Sequence, residues 1–439
     1  MQVMGATIVR CLIAAISFGG FVACADTMVA VDAASASDAA IQGADRGPLP
    51  DAPLPVPITG TVRAPEGTIP ISGALVYAVS PSKPPAPIPD KVYCDKCVEL
   101  TTTTPHTTSK PNGSFALDLP FAGKWLLVTQ KGAFRRVREI DVSAAGKAID
   151  EKLTTLPAKT DVNAGDTIPK MAVIRGAWDG IQDSLAKLGL GQVDVNGTLK
   201  PGTEPFTMVD CTLVSLFPPK VDCKPHAPDA LLTDYNLLSK YQILFVPCDG
   251  DPDDHTDTLD ATFSSPAAKQ NLLKWIKEGG RLYVTDYRYD LLQQILPSYI
   301  TWEGQSSSPG SAELSSSYTA PATVADKGLK DWLGAQGIVN FDLLESYTVI
   351  KGLAKAPTPG PDQKKTYNLA PKAWILGDVK GYAGLRPMTV SYPYGCGRVL
   401  FSSYHTEGKK SATSLLPQEK ALLYILLEVA VCIKEPLVE

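Results

Sequence analysis

The sequence predicts a multidomain chain: a small all-β sandwich followed by an α/β domain on a mainly parallel sheet. Three observations carry this. The 439 residues exceed what one hydrophobic core usually organises. Between residues 57 and 156, short β-prone runs alternate with turn signals. From residue 170 to 439, apolar strands alternate with segments of helical period, after a linker at 157–169.

Composition narrows the classes of function. The chain is 44% hydrophobic and 20% charged, which is globular. A net charge of −5 supplies no broad basic field, so a nucleic-acid partner is excluded. Four scattered histidines exclude a histidine-rich metal centre, and no cofactor motif is evident.

The first 23 residues read as an export signal. Arg10 gives a positive start, and Cys11 to Val22 is an apolar run too short for a membrane span. It ends in Phe21-Val22-Ala23-Cys24, which resembles a bacterial lipobox, with phenylalanine where leucine is usual. That resemblance implies lipidation at Cys24, a membrane partner through the lipid anchor, and an exported, cell-envelope location; the other reading is plain cleavage at a nearby small-residue site with Cys24 removed. Residues 24–56 are first Ala/Asp-rich and then proline-rich, a flexible tether stiffened toward polyproline II.

Setting aside Cys11 in the signal and Cys24 at its end, seven cysteines remain, so at least one thiol stays free. Cys94 and Cys97 have CxxC spacing, but zinc wants a second such pair and none is present. A thioredoxin-like role would need a following helix, whereas a Thr-rich, strand-prone segment follows. The expectation is a structural disulfide there, and another between Cys211 and Cys223. Cys432, on an apolar helix, reads as a buried hydrophobe.

In the β-rich region, Phe115, Leu117 and Leu119 recur with period two, as a half-buried strand requires. Asn112-Gly113 ahead of them is a turn suited to positive φ. Together with Ile58-Thr-Gly-Thr-Val62 and Gly73-Ala-Leu-Val-Tyr77, the segment Asn112-Gly-Ser-Phe115 resembles the carboxypeptidase regulatory-like family. The resemblance implies an Ig-like spacer or binding module without chemistry of its own.

The second region opens with the strand Met171-Ala-Val-Ile174 and a helix carrying Trp178, Ile181, Leu185 and Leu188, closed by Gly189. Further strands are Gln242 to Val246, Arg281 to Thr285 and Gly397 to Ser402. A helix with Ser265 as N-cap and Pro266 at N1 lies between the first two. Such alternation implies a sheet covered on both faces, with ligands at the strand carboxyl ends.

Three stretches resemble the class I glutamine amidotransferase-like superfamily, especially its trehalose-utilisation-protein-like branch: Tyr241 to Gly250, Leu272 to Val284 and Tyr394 to Glu407. The resemblance implies a flavodoxin-like three-layer fold. It also implies a nucleophilic cysteine on a sharp turn after a strand, beside a His-x-Glu pair. His405 and Glu407 match the pair, but the nucleophile position falls on Asp286, a poor attacker of amides. Cys248, one strand away, is a substitute nucleophile, yet the carboxylates that follow it oppose thiolate formation. Its other reading is a semi-buried thiol or disulfide partner.

Arg175, Asp286, Tyr287, His405 and Glu407 are expected to line one polar, ligand-binding crevice. His405 reads equally as a hydrogen-bonded structural histidine. Asp249, Asp251 and Asp253 have the alternating spacing of a calcium loop, but Asp254 stands where that loop needs glycine. The expected function is an envelope lipoprotein with a non-catalytic amidotransferase-like domain that binds a protein or small-molecule ligand. The alternative is a hydrolase of amide or carbohydrate substrates using Cys248, His405 and Glu407, or the rim carboxylates.

Overall fold

A computed structural model describes residues 54–94, 98–176, 178–209, 228–248, 263–308, 310–312, 314–355, 370–406, 413–428 and 433–434. The signal and Cys24, residues 24–53 of the tether, Cys97, Cys211, Cys223, Asp249, Asp251, Asp253, Glu407 and Cys432 lie outside the described residues. Residues Pro53–Glu439 form one compact unit. No helix among the described residues is long and apolar enough to cross a membrane.

Two small sheets come first. One has the order β5 (Ser114–Leu119), β1 (Val56–Thr61), β8 (Lys147–Ala148). The other runs β4 (His106–Thr108), β2 (Leu75–Val79), β6 (Gly123–Lys131), β7 (Phe134–Val142), β9 (Asp166–Thr167). Along β5, Phe115, Leu117 and Leu119 are buried while Ala116 and Asp118 are exposed. Burying each large side chain contributes about 1.5–3 kcal/mol. Gly113 at φ 80° makes the turn into β5, and Asn112 Oδ1 accepts from the Ser114 N–H at 3.0 Å.

The core of these sheets does not stop at residue 156. Val56, Ile58, Leu117, Leu127 and Ile140 share one apolar cluster with Met171, Val173, Phe245, Trp332 and Tyr424. The Trp332 indole N–H donates to the Pro70 carbonyl at 2.6 Å. The backbone N–H of Glu66 donates to Leu188 at 3.0 Å.

The large sheet has nine strands in the order β11 (Thr207–Val209), β10 (Met171–Ile174), β12 (Ile243–Val246), β13 (Arg281–Thr285), β20 (Gly397–Ser402), β19 (Leu385–Tyr394), β18 (Lys372–Asp378), β15 (Tyr318–Val324), β16 (Asp342–Ser346). From β11 to β20 neighbours are parallel. From β20 to β16 they are antiparallel.

This overturns the expected fold class, an Ig-like sandwich followed by a separate flavodoxin-like three-layer domain on a mainly parallel sheet. The sheet is mixed, half of its pairings antiparallel, and helices are few among the described residues. The reason is local: Tyr394 pairs with Gly397 across the two-residue loop Gly395-Cys396, with Gly395 at φ 62°. A tight turn returns the chain antiparallel beside itself, whereas a parallel neighbour needs a long crossover. The expected helix around Trp178 is also shorter; it spans Ile181–Lys187, and Trp178 is exposed.

The disulfide expectation is corrected too. Cys94 bonds Cys396 in the β19–β20 turn, with Cα atoms 5.1 Å apart, so it is not the partner of Cys97. The segment before Cys94 lies on the Gly279-Gly280 turn. Gly279 stands at φ 118°, and a Cβ there would overlap the Tyr93 carbonyl.

Candidate functional site: a buried cysteine, aspartate and histidine

Three adjacent parallel strands end in the residues that matter. Cys248 follows β12, Asp286 follows β13 and His405 follows β20. Because the strands are neighbours in register, their carboxyl ends deliver the three side chains to one place. The Cys248 sulfur, an Asp286 oxygen and a His405 ring nitrogen all lie within 4.8 Å of one another, and all three residues are buried.

Asp286 takes φ 44°, a left-handed conformation costly for a residue with a Cβ. It breaks β13 sharply into the short turn Asp286–Arg288 and the helix Tyr289–Ile295. Its Oδ1 accepts from the Tyr347 N–H at 3.1 Å and the Thr348 hydroxyl at 3.0 Å. Its Oδ2 lies 3.5 Å from His405 Nε2, and neither atom has a hydrogen-bond partner. Burial pushes the carboxyl up to about 8, against the opposing pull of His405 and the two hydrogen bonds.

His405 is held on its other side. Its Nδ1 lies 3.1 Å from Glu345 Oε2, its backbone N–H donates to the Glu345 carbonyl at 3.2 Å, and its carbonyl accepts from Gln418 at 2.9 Å. The ring stacks on Tyr347 with centroids 5.9 Å apart. Burial alone would lower its basicity; the Glu345 hydrogen bond and the charges of Asp179, Asp286 and Glu345 outweigh it and leave the imidazole above its usual range. Glu345, itself at φ 58°, is half-exposed.

Burial lifts the Cys248 thiol well above its ordinary range, and the Asp286 carboxylate adds to the lift; a hydrogen bond from the Tyr287 N–H works against both. Beneath the cluster, Asp179 ties the strand ends together. Its Oδ2 accepts from the Thr285 hydroxyl at 2.8 Å and the Thr406 N–H at 2.9 Å. The Thr285 oxygen in turn accepts from the Cys248 N–H at 2.7 Å.

Of the expected crevice residues, Asp286 and His405 meet, with Cys248 beside them. Tyr287 joins through aromatic contact, its ring 5.1 Å from Tyr347, while its hydroxyl donates to Leu314. Arg175 is solvent-exposed at the end of β10, unlike the buried cluster. Glu345, Asp179, Thr285, Thr348 and Thr406 were not signalled by the sequence. Glu345 reaches His405 from an antiparallel strand at the far edge of the sheet, and no motif spacing links the two. A mostly apolar surface depression lined by Ile69, Ile71, Leu188, Trp332, Leu423 and Tyr424 among others includes none of the cluster.

No family model matches the chain, and no curated protein matches it. Among solved structures, it is similar to Cytoplasmic Protein STM3548 from Salmonella typhimurium, at 10% identity and a TM-score of 0.34 over 60% of this chain and 100% of that one. A second, Cytoplasmic Protein STM1381 from Salmonella typhimurium LT2, gives 12% and 0.32, again over 60% of this chain and 100% of that one. A beta-galactosidase from Bacillus circulans sp. alkalophilus gives 11% and 0.31, over 60% of this chain and 31% of that one. TM-scores of this size assign neither fold nor activity to this chain.

Proposed function

We propose that the chain is an exported, envelope-tethered lipoprotein, anchored through Cys24, whose C-terminal part is a non-catalytic binding module for a protein or small-molecule ligand. Its site is a degenerate form of the amidotransferase-like one. A single observation carries the reading: the strand-to-helix elbow holds Asp286, a buried carboxylate tied to Tyr347 and Thr348, where an acyl-transfer enzyme needs a sulfur. The neighbouring thiol of Cys248 is a poor replacement, because burial raises it well above its ordinary range. Asp286 and His405 serve as fixed polar groups, with Tyr287 beside them.

Native-state labelling with iodoacetamide, followed by peptide mapping, tests this. Cys248 is expected to react slowly compared with a free thiol. Rapid modification that does not change with pH near neutrality would instead support the hydrolase, a reading favoured by the closeness of Cys248 to His405.

A further inference from the structure

We propose that Cys248, Asp286 and His405 form a binding site for one zinc-class divalent ion. This goes beyond the binding role above and does not depend on it.

Three donor atoms of the kinds that bind soft divalent ions are gathered at one place. A sulfur, a carboxylate oxygen and an imidazole nitrogen converge within 4.8 Å from three neighbouring strand ends. Around a tetrahedral zinc with ligands at about 2.0–2.3 Å, ligand atoms sit roughly 3.3–3.6 Å apart. Asp286 Oδ2 and His405 Nε2 are 3.5 Å apart.

Those inward atoms are also left over. Asp286 is 0% exposed and His405 3%, yet Oδ2 and Nε2 have no hydrogen-bond partner. Buried polar atoms are almost always satisfied, so two exceptions aimed at one point call for a third body between them.

Each ligand is meanwhile oriented from behind, as metal ligands are. Glu345 Oε2 lies 3.1 Å from His405 Nδ1, so a proton kept on Nδ1 leaves Nε2 facing inward as the atom available to an ion. The Tyr347 N–H and Thr348 hydroxyl hold Asp286 Oδ1, leaving Oδ2 inward. The Tyr287 N–H donates to the Cys248 sulfur.

Charge and softness select the ion. A thiolate and a carboxylate with a neutral imidazole balance a 2+ ion, which a dry site demands. Sulfur and nitrogen ligands suit zinc and its neighbours, whereas calcium and magnesium require oxygen. Three protein ligands leave a fourth position for water or a bound molecule.

The test uses the full chain, stripped with a chelator and titrated with cobalt(II) as a spectroscopic stand-in for zinc. The expected result is one equivalent bound, with thiolate-to-cobalt charge transfer and intense tetrahedral visible bands, both abolished by added zinc. Cys248→Ser, checked for folding by circular dichroism, should lose the charge-transfer band. Glu345→Gln should weaken zinc binding by about 10- to 100-fold. A folded parent that takes up no metal overturns the proposal, and so does uptake unchanged by Cys248→Ser and His405→Gln. Should those variants not fold, X-ray absorption on the zinc-loaded parent decides. One sulfur at about 2.3 Å supports the site. A shell without sulfur, or with several, rejects it.

Discussion

Asp286 Oδ2 and His405 Nε2 face each other across 3.5 Å at the ends of adjacent parallel strands, without a hydrogen bond. The arrangement persists because the surroundings hold both sides. Tyr347 and Thr348 bind the far oxygen of Asp286, and Glu345 binds the far nitrogen of His405. The strained φ of Asp286 is thus over-determined by packing and polar contacts, as strain at sites generally is.

Substitutions at Asp286 should therefore separate shape from charge. In metal-free protein, Asp286→Asn is expected to cost at most about 1 kcal/mol, since asparagine tolerates positive φ and keeps an acceptor for Tyr347 and Thr348. Asp286→Val should cost about 3–5 kcal/mol, from the left-handed backbone and two unsatisfied donors. Denaturant unfolding compares them, and equal losses would contradict this account of the turn.

Much of the site was legible in the sequence, and much of the fold was not. Tyr283-Val284-Thr285 and Leu400-Phe401-Ser402 are apolar runs that stop at a polar residue, which marks them as strand ends; Asp286 and His405 just beyond them are singled out by what the amidotransferase-like resemblance implies. The expected parallel sheet failed at Tyr394-Gly-Cys-Gly397. In sequence that stretch looks like the run-up to a lone strand, whereas it folds as a hairpin turn that opens the antiparallel half and with it brings in Glu345. The Cys94–Cys396 pairing was hidden for a related reason: residues 302 apart in sequence are brought together only by the packing of the Gly279 turn.

That disulfide staples the segment before β3 (Val98–Glu99) to the β19–β20 turn. Cys396→Ser should lower stability by about 2–4 kcal/mol. Non-reducing peptide mapping should recover a Cys94–Cys396 linked pair, and a Cys94–Cys97 link would refute the assignment.

Lys187 Nζ lies 3.0 Å from Glu419 Oε1 with both side chains fully buried, and Ser184 donates to the same oxygen at 2.6 Å. This pair joins the helix Ile181–Lys187 to the helix Pro417–Glu428. Lys187→Met alone should cost about 3–5 kcal/mol by leaving a buried carboxylate without its cation. Adding Glu419→Leu should recover most of the loss, which a double-mutant cycle would measure.

Asp166 accepts from Arg136 at 3.0 Å and Arg138 at 2.8 Å. Burial alone would raise its carboxyl; the two guanidinium hydrogen bonds outweigh this and hold it below the usual range. A depressed folded value means that the pairing stabilises fully above the unfolded aspartate's titration, near pH 3.9. The contribution disappears as pH falls through the lower folded value. Asp166→Asn should be less stable than the parent by about 1–2 kcal/mol at neutral pH, discounted for partial exposure. Melting curves of the two proteins should converge in strong acid. A gap that widens on acidification would reverse the sign argued here.

The central claim is that the cluster forms no covalent bond to a substrate. Peptide-mapping mass spectrometry of the full chain after incubation with an activated ester, with and without prior chelation, tests it most directly, since it reads adducts at the two side chains separately from acylated surface lysines. The peptides carrying Cys248 and Asp286 should keep their unmodified masses under both conditions. An acyl group trapped on either side chain would contradict it.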